Sequence, residues 1–201
     1  MAEIVLIRHG ETAWSRAGRH AGRTDIPLTS HGEAAARSLA GGLAHRPFGL
    51  VLVSPLARAV RTAALAGLPS DDRDPDLVEW DYGEFEGRTT PDIRRDLGDP
   101  GWSIWDARIG PGSTPGEQPD DVADRCRRVL ARCAPVLASG RDCALVAHGH
   151  LLRILTATWL DLAATCARLW ALDAGALSAL GHEHEQRVIQ HWNVPAPAAD
   201  G

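Results

Sequence analysis

The chain has 201 residues, enough for one domain with a substantial core. Its apolar (44%) and charged (23%) fractions are those of an ordinary globular protein, and a net charge of −5 speaks against a nucleic-acid or membrane-surface partner. All 21 basic residues are arginine, which excludes a Walker-type P-loop lysine, a Schiff-base lysine and a pyridoxal site.

The first predicted element is a strand over the apolar run Ile4-Val5-Leu6-Ile7, running into Arg8-His9-Gly10-Glu11-Thr12. A polar loop is expected from Gly10 to Ser30, and a helix after it, with Thr29 or Ser30 as N-cap and Leu39 and Leu43 as its apolar stripe. Leu50-Val51-Leu52-Val53 reads as a second strand. Ser54-Pro55 then has the form of a helix start, with Ser as N-cap and Pro at the first helical position. That helix carries Arg58, Arg61 and Thr62 and ends near Gly67.

Leu77-Val78 is a short strand candidate leading into Glu79-Trp80-Asp81-Tyr82-Gly83. Residues 84–118, with five prolines to Pro119 and with Trp102 and Trp105, read as an insertion of short helices that could serve as a lid. Val122, Cys126, Val129, Leu130, Cys133 and Leu137 mark an amphipathic helix. Cys143 to Ala147 is a buried strand ending at His148-Gly149-His150, and a helix with Leu152, Leu155, Trp159 and Leu160 follows at once. Ala176 to Gly181 and Arg187 to Trp192 read as a closing pair of strands, and residues 195–201 as a tail. Strands alternating with helices predict an α/β fold with a largely parallel sheet.

No C-x-x-C occurs among Cys126, Cys133, Cys143 and Cys166, so a zinc ribbon or thioredoxin motif is excluded. Cys126 and Cys133 share a helix face with their Cα atoms about 10 Å apart, too far for a disulfide. Free thiols, and no basic-then-apolar leader segment, lead to the expectation of a cytoplasmic protein. The apolar stretch from Leu151 to Leu180 is broken by Arg153, Asp161, Arg168 and Asp173 and cannot span a membrane. His182 and His184 have metal-like spacing but no third ligand, and are expected to be surface residues of a strand.

Three predicted strands thus end in polar signatures: Arg8-His9-Gly10, Ser54 with Arg58 one turn on, and His148-Gly149-His150. In a parallel sheet these ends share one edge, where ligands bind. Arginines, histidines and helix N-termini converging there suit a dianion such as phosphate.

Arg8-His9-Gly10-Glu11-Thr12 resembles the R-H-G-[EQ]-T signature of the histidine phosphatase superfamily, which includes the cofactor-dependent phosphoglycerate mutases. The stretch from Ser54 to Ala63 is similar to its S-P-L-x-R-A-x-x-T-A segment, Glu79 to Gly87 to its E-x-x-x-G-x-x-E-G segment, and Ala147-His148-Gly149 to its second-histidine motif. Trp14-Ser15, Glu79 to Gly83 and Trp102 to Trp105 resemble the branch of small acid phosphatases and sedoheptulose bisphosphatases. The resemblance implies a phosphoglycerate mutase-like fold, a three-layer α/β/α sandwich around a mostly parallel sheet, with residues 1–194 as a single domain.

The resemblance further implies a phosphatase acting on small phosphomonoesters, sugar phosphates foremost, with no requirement for a metal or other cofactor. A phosphoglycerate mutase and a non-catalytic phosphate-binding regulator are the alternatives, and a homodimer is compatible with the reading. His9 would attack phosphorus, which requires it neutral with one ring nitrogen free and the other donating to a backbone carbonyl. Arg8, Arg58 and a protonated His148 would supply positive charge, with Ser15 and the Gly149 N–H as further donors. Glu79 would be the general acid, with Asp81, Glu84 and Glu86 as rivals by proximity and Glu86 assigned a structural role. Ser15, His20, Ala21, Gly22, Tyr82 and Gly149 would line the substrate, His20 touching its organic part. His150 is expected to be a helix-start residue.

Overall fold

The computed structural model describes residues 2–196; residues 197–201 of the expected tail lie outside the described residues. Five strands form one sheet in the order β2-β3-β1-β4-β5, from β1 (Ile4–Arg8), β2 (Phe48–Val53), β3 (Asp142–Ala147), β4 (Leu177–Glu183) and β5 (Gln186–Val194). β2, β3 and β1 are mutually parallel, and β4 and β5 continue the sheet antiparallel. The parallel part is where strands alternate with helices. β4 and β5 instead form a hairpin, turned at His184 with a left-handed φ of 53°.

Alternation along β1 builds two cores. Ile4 and Leu6 face one side, where α6 (Pro119–Ala138) and α7 (Gly149–Trp159) pack. Val5 and Ile7 face the other, against α2 (Ser30–Ser38), α3 (Ala40–Leu43) and α4 (Ala57–Leu65). The result is the three-layer sandwich. Each fully buried aliphatic side chain contributes about 1.5–3 kcal/mol, and α7 buries most of its residues because it is enclosed between the sheet and α6.

α6 follows its sequence signals closely. Pro119 stands in the first turn with Asp120 and Asp121, and Val122, Cys126, Val129 and Cys133 form its buried stripe. All four cysteines are free, and burial pushes the Cys126 thiol up to about 12, which keeps it inert. No helix among the described residues is long and apolar enough to cross a membrane.

Three local expectations are corrected. The loop after Gly10 contains a short helix, α1 (Ala13–Arg16), closed by a capping box between Thr12 and Ser15. Ser54 does not cap α4: the helix begins at Ala57 behind Leu56, with no side-chain cap, because the Ser54 hydroxyl pairs with His148. Leu77-Val78 is not a strand; Pro75–Leu77 is a 3-10 turn whose Asp74 carboxylate accepts from the Asp76 N–H. Residues 84–118 hold α5 (Thr90–Leu97), and they send Phe85, Ile93, Trp102, Ile104, Trp105 and Ile109 into the larger core. Trp102 and Trp105 therefore serve as a packed wall.

Candidate active site

The C-terminal ends of β1, β2 and β3 lie side by side, so His9, Ser54 and His148 emerge on one edge of the sheet. The His9 N–H donates to Ala147 O at 2.9 Å and the Ser54 N–H to Val146 O at 2.9 Å, which extends the ladder one residue past each strand. Gly10 then turns away. Its N–H donates to Thr62 Oγ1 at 3.1 Å, and that hydroxyl donates to Arg58 O at 2.7 Å. A Cβ on Gly10 would come within 2.4 Å of Gly32 O, so the first turn of α2 presses directly on the His9-Gly10 backbone.

The His9 Nδ1 lies 2.7 Å from its neighbour's carbonyl, Gly10 O. A carbonyl only accepts, so Nδ1 carries the proton and Nε2 has a free lone pair. Burial, followed by the charges of Arg58 and Arg8, holds the imidazole well below its usual range. His9 is therefore neutral at physiological pH.

A cavity of about 210 Å³ lies above His9. Arg8, Ser15, His20, Ala21, Glu79, Tyr82 and Gly149 border it, as the sequence suggested. Arg58, His148 and Gly22 do not; they lie beneath or behind its wall. Arg8 donates through Nη1 to Leu172 O, and its buried Nε has no partner among the described residues. A Cβ on Gly149 would come within 3.1 Å of the Arg8 guanidinium, so glycine there lets the cation lie against the first turn of α7.

Arg58 is fully buried and spans the floor. Its Nε donates to His148 Nδ1 at 3.1 Å, Nη1 to Thr24 O at 2.9 Å, and Nη2 to Ala21 O and Gly22 O at 3.1 and 3.0 Å. The first loop is thus tied to the second histidine through one guanidinium. The expected protonated His148 is not what this arrangement holds. Arginine only donates, so Nδ1 is an acceptor, and Nε2 carries the proton to Ser54 Oγ at 2.7 Å. Burial first, and then Arg58 and His9, depress the His148 imidazole well below its usual range. Ser15 borders the cavity, but its hydroxyl accepts from the Thr12 N–H and donates to Thr12 O, closing α1.

Glu79 is held by three backbone N–H groups: Trp80 and Leu151 at 2.9 and 2.8 Å on Oε1, and His150 at 3.1 Å on Oε2. The last two belong to the first turn of α7, so a carboxylate from a distant loop occupies that helix's positive end. Its rivals face elsewhere. Asp81 accepts from the Gly83 N–H and Thr114 Oγ1, Glu84 from the Gly110 N–H, and Glu86 from the Gly22 and Thr24 N–H groups. Glu86 thereby pins the first loop, in keeping with its structural assignment.

Several wall residues were not legible in the sequence. His150 is more than a helix-start residue: it borders the cavity, shares a 2.6 Å hydrogen bond between its Nδ1 and Tyr82 Oη and packs on Trp105 with ring centres 4.7 Å apart. Burial and Arg153 hold it neutral, and burial raises the Tyr82 phenol well above its usual range, so the phenol keeps its proton. His20, against Tyr82 at 4.9 Å, is lowered to about 4 by burial. Thr12, Gly18, Arg19, Arg153 and Leu172 complete the wall. His182 stacks edge-on against Trp159 at 5.1 Å, far from this edge, and among the described residues no cluster of three metal-ligating side chains is found.

The sequence profile of the histidine phosphatase superfamily (branch 1) matches residues 4–195. An acid phosphatase of Mycobacterium tuberculosis is 37% identical, over 98% of this chain and 97% of its own. The sedoheptulose 1,7-bisphosphatase of Saccharomyces cerevisiae is 32% identical, over 79% of this chain and 67% of its own. The solved structure of an open reading frame product of Mycobacterium tuberculosis superposes with a TM-score of 0.89 at 34% identity, covering 97% of this chain and 98% of that one. With a family match running from the first strand to the last, the chain belongs to the histidine phosphatase superfamily.

Proposed function

We propose that this chain is a metal-independent phosphatase that hydrolyses phosphomonoesters of small metabolites, sugar phosphates foremost, through a phosphohistidine on His9. The observation that carries the reading is the state of His9: neutral, its Nδ1 proton fixed on Gly10 O, and its Nε2 lone pair free on the edge where an arginine-lined cavity opens. A nucleophile in that state needs no base to activate it.

In the first step Nε2 attacks phosphorus and the P–O bond to the leaving group breaks. Glu79, whose carboxylate takes up a proton as the phosphate dianion enters the cavity beside it, gives that proton to the leaving oxygen. In the second, Glu79 takes a proton from water as that water attacks the phosphohistidine, releasing inorganic phosphate and restoring neutral His9. Arg8, with its unpartnered Nε, stabilises the charge on the transferring group, and the Gly149 N–H adds the positive end of α7. Arg58 orders the floor of the site through His148 and the first loop.

Relatives named as an acid phosphatase and a sedoheptulose 1,7-bisphosphatase, at 37% and 32% identity, support hydrolysis, while relatives named probable phosphoglycerate mutase, at 30–32%, keep isomerisation as the second reading. The test is phosphate release from glycerol 3-phosphate and p-nitrophenyl phosphate, in chelator-treated buffer, with His9→Ala as control. Release by the wild type and its loss in the variant are expected. Fast isomerisation of 3-phosphoglycerate with a bisphosphate primer and no free phosphate would contradict the reading in favour of a mutase.

A further inference from the structure

Glu79 stands on a stretch of chain that is neither helix nor strand, so no ladder of its own holds the backbone that presents the acid. Its carboxylate is fixed by the first turn of α7. Its backbone is fixed from another direction, by two charged residues that the mechanism leaves unused. Arg125, in the second turn of α6, is buried to 8% exposure. It donates through Nη1 to Asp76 O and Val78 O at 2.6 and 2.9 Å, on the N-terminal side of Glu79. Its Nε and Nη2 meet the two carboxylate oxygens of Glu117 at 2.8 and 2.9 Å.

Glu117 takes hold on the other side. Its Oε2 accepts from the Asp81 N–H at 2.9 Å, its own N–H donates to Asp81 O at 2.9 Å, and its carbonyl accepts from the buried Trp80 indole at 2.7 Å. Arg23 of the first loop reaches Glu117 and Asp81 at 3.4 and 3.8 Å. One ion pair thus brackets Glu79 from residue 76 to residue 81. Seating α6 does not require it: Val122, Cys126 and Val129 are fully buried and anchor that helix. A buried ion pair adds little net stability, because desolvation offsets its attraction. What its fork geometry supplies is a fixed backbone position.

We propose that Glu117 and Arg125 are positioning residues for the general acid: the pair sets where the Glu79 carboxyl meets the leaving oxygen. This assignment rests on the phosphatase reading and on Glu79 as its acid. Neither residue borders the cavity, so both act through Glu79 rather than on the substrate. A displacement of the carboxyl by about 1 Å costs on the order of 10²-fold in rate. The effect is confined to substrates whose leaving group needs a proton.

The experiment measures kcat/KM, which covers the steps up to the phosphohistidine, for glycerol 3-phosphate and p-nitrophenyl phosphate. Glu117→Gln is expected to lower the first about 10–10²-fold and the second by no more than about threefold, since p-nitrophenolate leaves unprotonated. In a Glu79→Gln background the same substitution is expected to add less than about threefold, because the group it positions is gone. Glu117→Asp, which keeps the charge, is expected to restore part of the loss. If Glu117→Gln does not fold, Arg125→Lys keeps the charge without the fork and is expected to lose about tenfold on glycerol 3-phosphate alone. Equal losses on both substrates, full additivity with Glu79→Gln, or no loss in a folded variant overturn the positioning role. Equal losses for Glu79→Gln itself remove the acid, and this assignment with it. Hydrolysis of p-nitrophenyl phosphate by the wild type, and its loss in His9→Ala, reports on the phosphatase reading separately.

Discussion

Arg58 donates its Nε–H to His148 Nδ1 across 3.1 Å, which makes the second histidine of the site an acceptor rather than a cation. The other side of the same guanidinium holds the carbonyls of Ala21, Gly22 and Thr24. Arg58→Lys keeps the charge but cannot reproduce this fork. It is expected to lower kcat/KM for phosphate release by about 10²–10³-fold. A loss below tenfold would show that charge alone suffices at this position.

Burial of neutral histidines makes stability depend on pH. Above about pH 6.5 neither the folded nor the unfolded chain protonates His20, and it contributes nothing to the slope. Below that, the unfolded chain takes up a proton that the native state refuses until about pH 4, so stability falls as pH falls. His20 alone accounts for about 2 kcal/mol between pH 7.5 and pH 5. His9, His148 and His150, all depressed by burial, act in the same direction. Urea midpoints at the two pH values measure the loss, and His20→Phe is expected to reduce it; equal midpoints would refute neutral burial.

The role given to Glu79 predicts a dependence on the leaving group. An alkoxide must be protonated as it departs, whereas p-nitrophenolate need not be. Glu79→Gln is expected to lower kcat about 10²–10³-fold on glycerol 3-phosphate and under tenfold on p-nitrophenyl phosphate. Equal losses on both would assign Glu79 to holding the start of α7 rather than to proton transfer.

The contact between Gly10 and Gly32 is one of backbone on backbone. A Cβ at Gly32 would lie 2.2 Å from Glu11 O, and one at Gly10 lies 2.4 Å from Gly32 O. Gly32→Ala must push the His9 turn away from α2. A destabilisation of about 1–3 kcal/mol is expected, together with lost activity, because Thr62 can no longer hold the Gly10 N–H. Denaturant melts and phosphate release check the two halves.

The three strand ends that build the site were legible because each is a local pattern, an apolar run broken by a charged or imidazole residue. α1 was legible too, in the Thr12-to-Ser15 spacing of a capping box, but the polar composition of the loop masked it. The Ser54-Pro55 helix start failed for a tertiary reason: its hydroxyl goes to a residue 94 positions away. No periodicity encodes that choice. The same holds for His150 and Arg153, whose α7 positions are plain in the sequence while their place in the wall depends on Tyr82 and Trp105 from distant segments. The neutrality of His148 required knowing that Arg58 reaches its ring.

The central claim is that phosphorus passes through His9. Rapid acid-free quenching of the enzyme during turnover of 32P-labelled substrate, followed by peptide mapping, tests it directly. The expected result is base-stable, acid-labile label on the peptide containing His9, absent in His9→Ala. Turnover by the wild type with no label on His9 at any time point, or label on another residue at equal rate, would contradict it.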